Sequence, residues 1–198
     1  MTCLLILAAV VAIGTYFLLK PKVQRSEDLE VLAIIAEGFD HWELYYVNSS
    51  LSREGITVTT ASFTTDEVSW LSAHMLFDDV DVSRYDAVFI PGGEGPENII
   101  NHPDREKVFS ILIQANNQGK TIAAICHGPW VLAAADLVEG KDVTCFNDAD
   151  MKADLTNSGA NVDTTRSVIK DGNIITASGP YAINVFTEEL TSALIGRT

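Results

Sequence analysis

Three stretches of this chain are apolar at nearly every position: LEVLAIIA (29–36), YDAVFI (85–90) and KTIAAI (120–125). A strand with one wet face alternates polar and apolar residues. Near-continuous apolar runs of this length instead mark strands buried on both faces, as in a parallel sheet covered by helices. The intervals between them fit that reading. Residues 41–54 pattern as a helix, Ile56 to Ala61 as a short β-branched strand, and residues 62–84 as irregular chain with short antiparallel pieces. Pro91-Gly92-Gly93 breaks the second apolar run, and a helix is expected from His102-Pro103 to about Gln118, stopped by Gly119. A helix over about Gly128 to Ala135, strands at Val143 to Phe146 and Val168 to Ala177, and an amphipathic helix over 181–195 complete the pattern. The fold class is α/β: a flavodoxin-like three-layer sandwich with a mostly parallel central sheet.

The chain has 198 residues, enough for one such domain and awkward for two. The sequence divides into an N-terminal apolar segment with a tether, 1–28, and a domain, 29–198. Its formal charge is −14, with acidic residues spread along the chain. Such a field repels phosphates and excludes nucleic acid as a natural partner.

Residues 3–19, CLLILAAVVAIGTYFLL, carry no charge and are followed by Lys20, Lys22 and Arg25. As a helix this run is roughly 25 Å long, at the short edge of a membrane span. The basic residues follow it, so the expectation is a single membrane anchor with the domain on the cytoplasmic side. The alternatives are a soluble cytoplasmic protein, a signal peptide, or a start codon placed too early. A signal peptide fits less well, because its basic residues precede the apolar run and a small-residue cleavage site follows.

The three cysteines are Cys3, Cys126 and Cys145, with no CxxC spacing. The four histidines (His41, His74, His102, His127) have no ligand spacing with them. No GxGxxG follows a strand, so neither a dinucleotide nor a metal cofactor is implied.

The strongest local feature is TIAAICHGPWVLAAA, residues 121–135. An apolar strand ends at Ile125 and a helix begins within about three residues. Cys126 sits on the turn, the geometry of a nucleophile elbow. Gly128 permits close backbone passage, and Pro129 suits a first helical turn. A helix N-terminus beside the sulfur favours thiolate, so the Cys126 pKa is expected below the free value near 8.5.

AICHGP resembles the signature of the DJ-1/PfpI superfamily, and more closely its PfpI-like branch, in which histidine directly follows the reactive cysteine. The likeness covers residues 29–198 and includes the acidic residue after the first strand, the PGG turn, the elbow and the closing helix. It implies a fold of the class I glutamine amidotransferase type. It also implies roles for particular residues. Cys126 would be the nucleophile. Glu43, in EGFDHWEL, would be the buried glutamate that shares a proton with the sulfur. His127 would move protons. The backbone N–H groups of Gly93 and His127 would face an oxyanion. Glu97, in GEGPEN, would orient His127 across a subunit interface of a homo-oligomer, with Glu94, three residues earlier, as the alternative. Trp130 and Phe146 would line the substrate pocket. Phe146 stands where many PfpI-like proteins have tyrosine, and no histidine follows His127, unlike DJ-1-type glyoxalases.

The reaction implied is that of a cysteine-dependent hydrolase acting on a peptide, an amide or a small carbonyl adduct. Two alternatives stand beside it. One is glyoxalase III-like or deglycase activity on methylglyoxal or its adducts. The other is a non-enzymatic redox or stress-response role, with Cys126 as the oxidised group.

Overall fold

A computed structural model describes residues 29–196 of the chain. In chain order its elements begin with strand β1 (Glu30–Ile34), helix α1 (His41–Arg53) and strand β2 (Thr57–Ser62). Three two-residue strands follow: β3 (Glu67–Val68), β4 (Leu71–Ser72) and β5 (Met75–Leu76). Then come β6 (Ala87–Ile90), α2 (Gly95–Asn101), α3 (Arg105–Asn117), β7 (Thr121–Ile125) and α4 (Pro129–Ala134). The chain continues through β8 (Asp142–Val143), α5 (Ala149–Asn157), β9 (Asn161–Val162), β10 (Val168–Asp171), β11 (Ile174–Ala177) and α6 (Ile183–Ile195).

The main sheet has seven strands in the order β10-β11-β7-β6-β1-β2-β5. Every neighbouring pair is parallel except β10 with β11. The three apolar runs become β1, β6 and β7, the centre of the sheet, as both-face burial requires. Alternate residues of β1 serve different cores. Leu32 and Ile34 join a cluster with Leu112 of α3, Leu132 of α4 and Leu155 of α5. Val31 and Ala33 join a second cluster with Val47 of α1 and Phe186 of α6. Helices on both faces of one sheet make the three layers. After β2 and β5 the chain returns to the other side of β1 to form β6, so strand order reverses there. Ligand sites in open α/β sheets lie outside the strand C-termini at such a reversal.

Several boundaries differ from the sequence reading. Val168 to Ala177 is not one strand but an antiparallel hairpin that turns at Gly172, whose φ is +63°. Val143 to Phe146 shortens to β8, which pairs with β9 outside the main sheet. Helix α2 follows the PGG turn directly, so Glu97 stands in its first turn rather than in a loop. Helix α5 occupies chain to which the sequence assigned no element.

The membrane-spanning helix expected over 3–19 requires correction. Among the described residues no helix is long and apolar enough to cross a membrane. The longest of those described have 13 residues, roughly 20 Å, against a hydrocarbon core of about 30 Å. The anchored arrangement with an inward-facing domain thus has no support among the described residues. The segment 3–19 and the tether at 20–28 lie outside the described residues.

Candidate active site

Three strand ends supply the site. β7 delivers Cys126, β6 delivers Gly92 and Gly93, and the turn after β1 leads into α1 and Glu43.

Cys126 has a φ of +60°, a left-handed conformation strained for any residue with a Cβ. Its backbone is held from both sides. Its N–H donates to the Ala177 carbonyl at 2.9 Å, and its own carbonyl accepts the Phe146 N–H at 3.0 Å. The sequence turns sharply here because only three residues separate the end of the strand from Pro129, which starts α4. The elbow expected from the sequence is present. The side chain is 7% exposed.

His127 follows on the same turn, and its Nδ1 lies 3.3 Å from Cys126 Sγ. In a regular strand neighbouring side chains diverge, so the elbow is what brings these two together. The N–H groups of Gly93 and His127 face the Cys126 sulfur and favour its charged form. They are the two amides that the sequence reading assigned to an oxyanion. Gly93 holds a φ of +79°, natural for glycine alone. A Cβ at Gly92 would lie 2.5 Å from Cys126 Cβ and 2.9 Å from Glu43 Oε2, so only glycine lets this backbone approach the sulfur.

Glu43 is fully buried. It enters from α1, whose N-terminus is capped by Asp40 Oδ1, which accepts the Glu43 N–H at 3.0 Å. Glu43 Oε2 accepts the Gly92 N–H at 2.7 Å. Its other oxygen, Oε1, is buried with no hydrogen-bond partner. Burial, with a smaller push from the Asp40 charge, raises the Glu43 pKa from 4.5 to about 7, against the lowering effect of the Gly92 hydrogen bond. An unpartnered buried carboxylate oxygen is costly as an anion. With a pKa of about 7 the group is poised to take up a proton near neutrality, beside a sulfur that must lose one.

The expectation of a depressed Cys126 pKa is corrected. Desolvation, then the neighbouring Glu43 charge, push the thiol up to about 12, against the Gly93 and His127 N–H groups. The six-residue α4 gives too little helix to outweigh this. Cys145, fully buried in the opposite core cluster, is also raised, to about 11, mainly by burial. The sulfur of Cys126 thus rests as a thiol and needs a base at the moment of attack.

A cleft of about 390 Å³ opens at His127 and is lined by Gly93, Trp130 and four carboxylates: Glu94, Glu97, Asp148 and Asp150. Phe146, 43% exposed, stands with its ring 5.0 Å from that of His127. Trp130 is fixed by its Nε1, which donates to Asp154 Oδ2 at 2.7 Å. Glu97 and His127 line one cleft of a single chain, and among the described residues no hydrogen bond joins them. The other histidines stand elsewhere: His74 bonds Thr60, and His102 stacks on Phe63 at 3.6 Å. The sequence reading did not place Asp148 or Asp150 in the site, and it held Glu94 only as the alternative to Glu97. Asp148 had a signal, since DADMKADL sets a capping aspartate before apolar residues four apart, the mark of a helix start.

Comparisons with known proteins identify a family for this fold. The family model described as the DJ-1/PfpI family matches residues 29–193. The chain belongs to the DJ-1/PfpI family. A curated relative in that family, a deglycase of Thermococcus kodakarensis, is 30% identical over 172 residues, covering 84% of this chain and 99% of that protein. The deglycase PfpI of Pyrococcus furiosus is 29% identical over the same length and share of the chain. The crystal structure of DJ-1beta from Drosophila melanogaster superposes with a TM-score of 0.77 at 29% identity, over 85% of this chain and 91% of that one. Curated members are thus named as enzymes of the DJ-1/PfpI family, and the mostly parallel seven-stranded sheet is that family's fold.

Proposed function

We propose that this protein is a cysteine-dependent hydrolase that removes small α-oxoaldehyde adducts from amines or thiols, a deglycase-type reaction. The observation that carries the reading is the constellation at Cys126: His127 Nδ1 at 3.3 Å, two N–H groups facing the sulfur, and the unpartnered Glu43 oxygen. The names of the relatives support it. A cleft of about 390 Å³ is also at the small end for ligand sites, better matched to an adduct than to a folded protein chain.

For a methylglyoxal aminocarbinol the steps balance as follows. Glu43 accepts the Cys126 proton as the sulfur attacks the carbinol carbon. The C–S bond forms and the C–N bond breaks. His127 protonates the departing amine and becomes the base for the next step. It takes the proton from the carbon bonded to sulfur and delivers it to the adjacent carbon, turning the hemithioacetal into a lactoyl thioester. Water then attacks the thioester, giving a proton to His127, which regains its starting form. The oxyanion is held by the Gly93 and His127 N–H groups, lactate leaves, and Glu43 returns the proton to the sulfur. The net reaction adds one water, with no external oxidant or reductant. Glu97 orients the His127 ring. The family resemblance implies that it does so from a second copy in a homo-oligomer.

The test is lactate release from methylglyoxal-treated N-acetyl-lysine and N-acetyl-cysteine, at rates above spontaneous decay of each adduct. The wild type should release lactate, Cys126→Ala should not, and unfolded casein should stay intact. Casein cleavage without lactate would overturn the reading in favour of a peptidase.

A further inference from the structure

The four carboxylates of the cleft stand without a counter-ion among the described residues. Among the described residues none of Glu94, Glu97, Asp148 and Asp150 takes part in an ion pair. Lys152, on α5 with Asp150, is bonded instead to Asn147 Oδ1 at 2.8 Å. Nor do the carboxylates converge as metal ligands: among the described residues no three His, Cys, Asp or Glu side chains are grouped to hold an ion. Four separate negative charges around about 390 Å³ suit an extended organic cation better than a point charge. The wall completes that match. Trp130 offers an aromatic ring in the cleft and Phe146 another beside His127, and such rings attract ammonium and guanidinium groups. The cleft also borders the reactive centre, since His127 lines it and His127 Nδ1 lies 3.3 Å from Cys126 Sγ.

We propose that Glu94, Glu97, Asp148 and Asp150, with Trp130, make the active-site cleft selective for cationic substrates: adducts on peptides or amines that carry a lysine or arginine next to the reacting carbonyl. This rests on the hydrolase reading for its chemistry, but the charge preference belongs to the cleft itself. Anionic molecules with the same reactive group, such as nucleotide adducts or acidic thiols, are repelled at the entrance. Clefts lined by one sign of charge with low-dielectric walls raise local concentrations of the opposite sign. The negative charge of the whole chain adds to this only weakly at physiological salt, where the Debye length is about 8 Å.

Two experiments separate this inference from the reaction. The first labels Cys126 with a cationic and an anionic methanethiosulfonate, trimethylammonium-ethyl and sulfonatoethyl, and resolves the labelled peptide by mass spectrometry. Relative to a free cysteine peptide, the cationic reagent should be favoured at Cys126 by at least about tenfold at low salt. The preference should collapse in Glu94→Gln/Asp150→Asn. It should survive in Glu106→Gln/Asp136→Asn, which removes the same charge from another groove of the surface. Should the first double variant fail to fold, the wild type still decides, because 1 M salt shortens the Debye length to about 3 Å and must shrink the preference. Equal labelling by both reagents, a salt-independent ratio, or an equal loss in the control variant overturns the proposal. The second experiment measures kcat/KM on two peptides that bear the same methylglyoxal–cysteine hemithioacetal, flanked by lysines or by glutamates. Faster turnover of the lysine peptide supports the selectivity, and equal turnover overturns it. Failure of both peptides to react contradicts the hydrolase reading instead, and the labelling ratio then judges the cleft by itself.

Discussion

Glu43 accepts the Gly92 N–H at 2.7 Å and leaves its second carboxylate oxygen buried and unpartnered next to Cys126. That relationship links two acids that must share protons, and it sets the electrostatics of the site. Each ionised form raises the cost of ionising the other, so their protons belong to the pair.

Glu43→Gln removes the like charge from beside the sulfur. The Cys126 pKa, pushed up to about 12 by desolvation and by Glu43, should fall. Activity should fall too, by about 10²–10⁴-fold, because the proton acceptor is lost. Thiolate absorbance at 240 nm against pH, beside a lactate assay, checks both. A thiol that becomes harder to ionise contradicts the pairing.

Stability should follow the same carboxyl. Its folded pKa of about 7 lies above its ordinary 4.5, so between those values the folded state binds more protons than the unfolded state. Its contribution is fully present below pH 4.5 and is lost as pH rises through about 7. The loss is worth roughly 3 kcal/mol. Glu43→Gln should therefore raise the urea midpoint at pH 8 relative to wild type, with little gain at pH 4.5. An equal effect at both pH values contradicts the assignment.

Gly92→Ala should destabilise the domain by about 1–3 kcal/mol, the usual cost of overpacking. Its new methyl would fall 2.5 Å from Cys126 Cβ. Lactate release should be lost even where the fold survives, since the same shift moves the Gly93 N–H from the sulfur. Thermal melts and the lactate assay together test this, and a fully active variant contradicts it.

Glu97→Gln should lower turnover without unfolding the chain, since Glu97 lies exposed in the first turn of α2. If the orienting carboxylate comes from a second copy, mixing Glu97→Gln subunits with Cys126→Ser subunits should restore part of the activity. Tagged co-purification must first show mixed assemblies. Mixed assemblies that stay inactive assign the carboxylate to His127's own chain, where Glu97 already lines the same cleft.

The central sheet was legible because burial on both faces writes itself as unbroken apolar runs, and the elbow because CHGP ends one of them. Helices α2 and α5 were harder to see. α2 has only seven residues, and its proline reads equally as the end of the PGG turn. α5 buries only Met151 and Leu155, so its apolar stripe is two residues wide. The ionisation of Cys126 could not be read from the sequence either. A helix N-terminus is visible in sequence, but the dryness of the pocket and the closeness of Glu43 come from packing between strand ends far apart in the chain. The acidic collar follows the same rule: its members come from α2, its preceding turn, α5 and the residue before α5, and only the fold gathers them.

The most direct test of the account is rapid-quench mass spectrometry of the wild type with a methylglyoxal–lysine adduct. The account predicts a lactoyl group, as a thioester, on the peptide that contains Cys126, appearing before free lactate and absent in Cys126→Ser. Lactate formed at the wild-type rate by Cys126→Ser, with no acyl group ever found on Cys126 in the wild type, would contradict it.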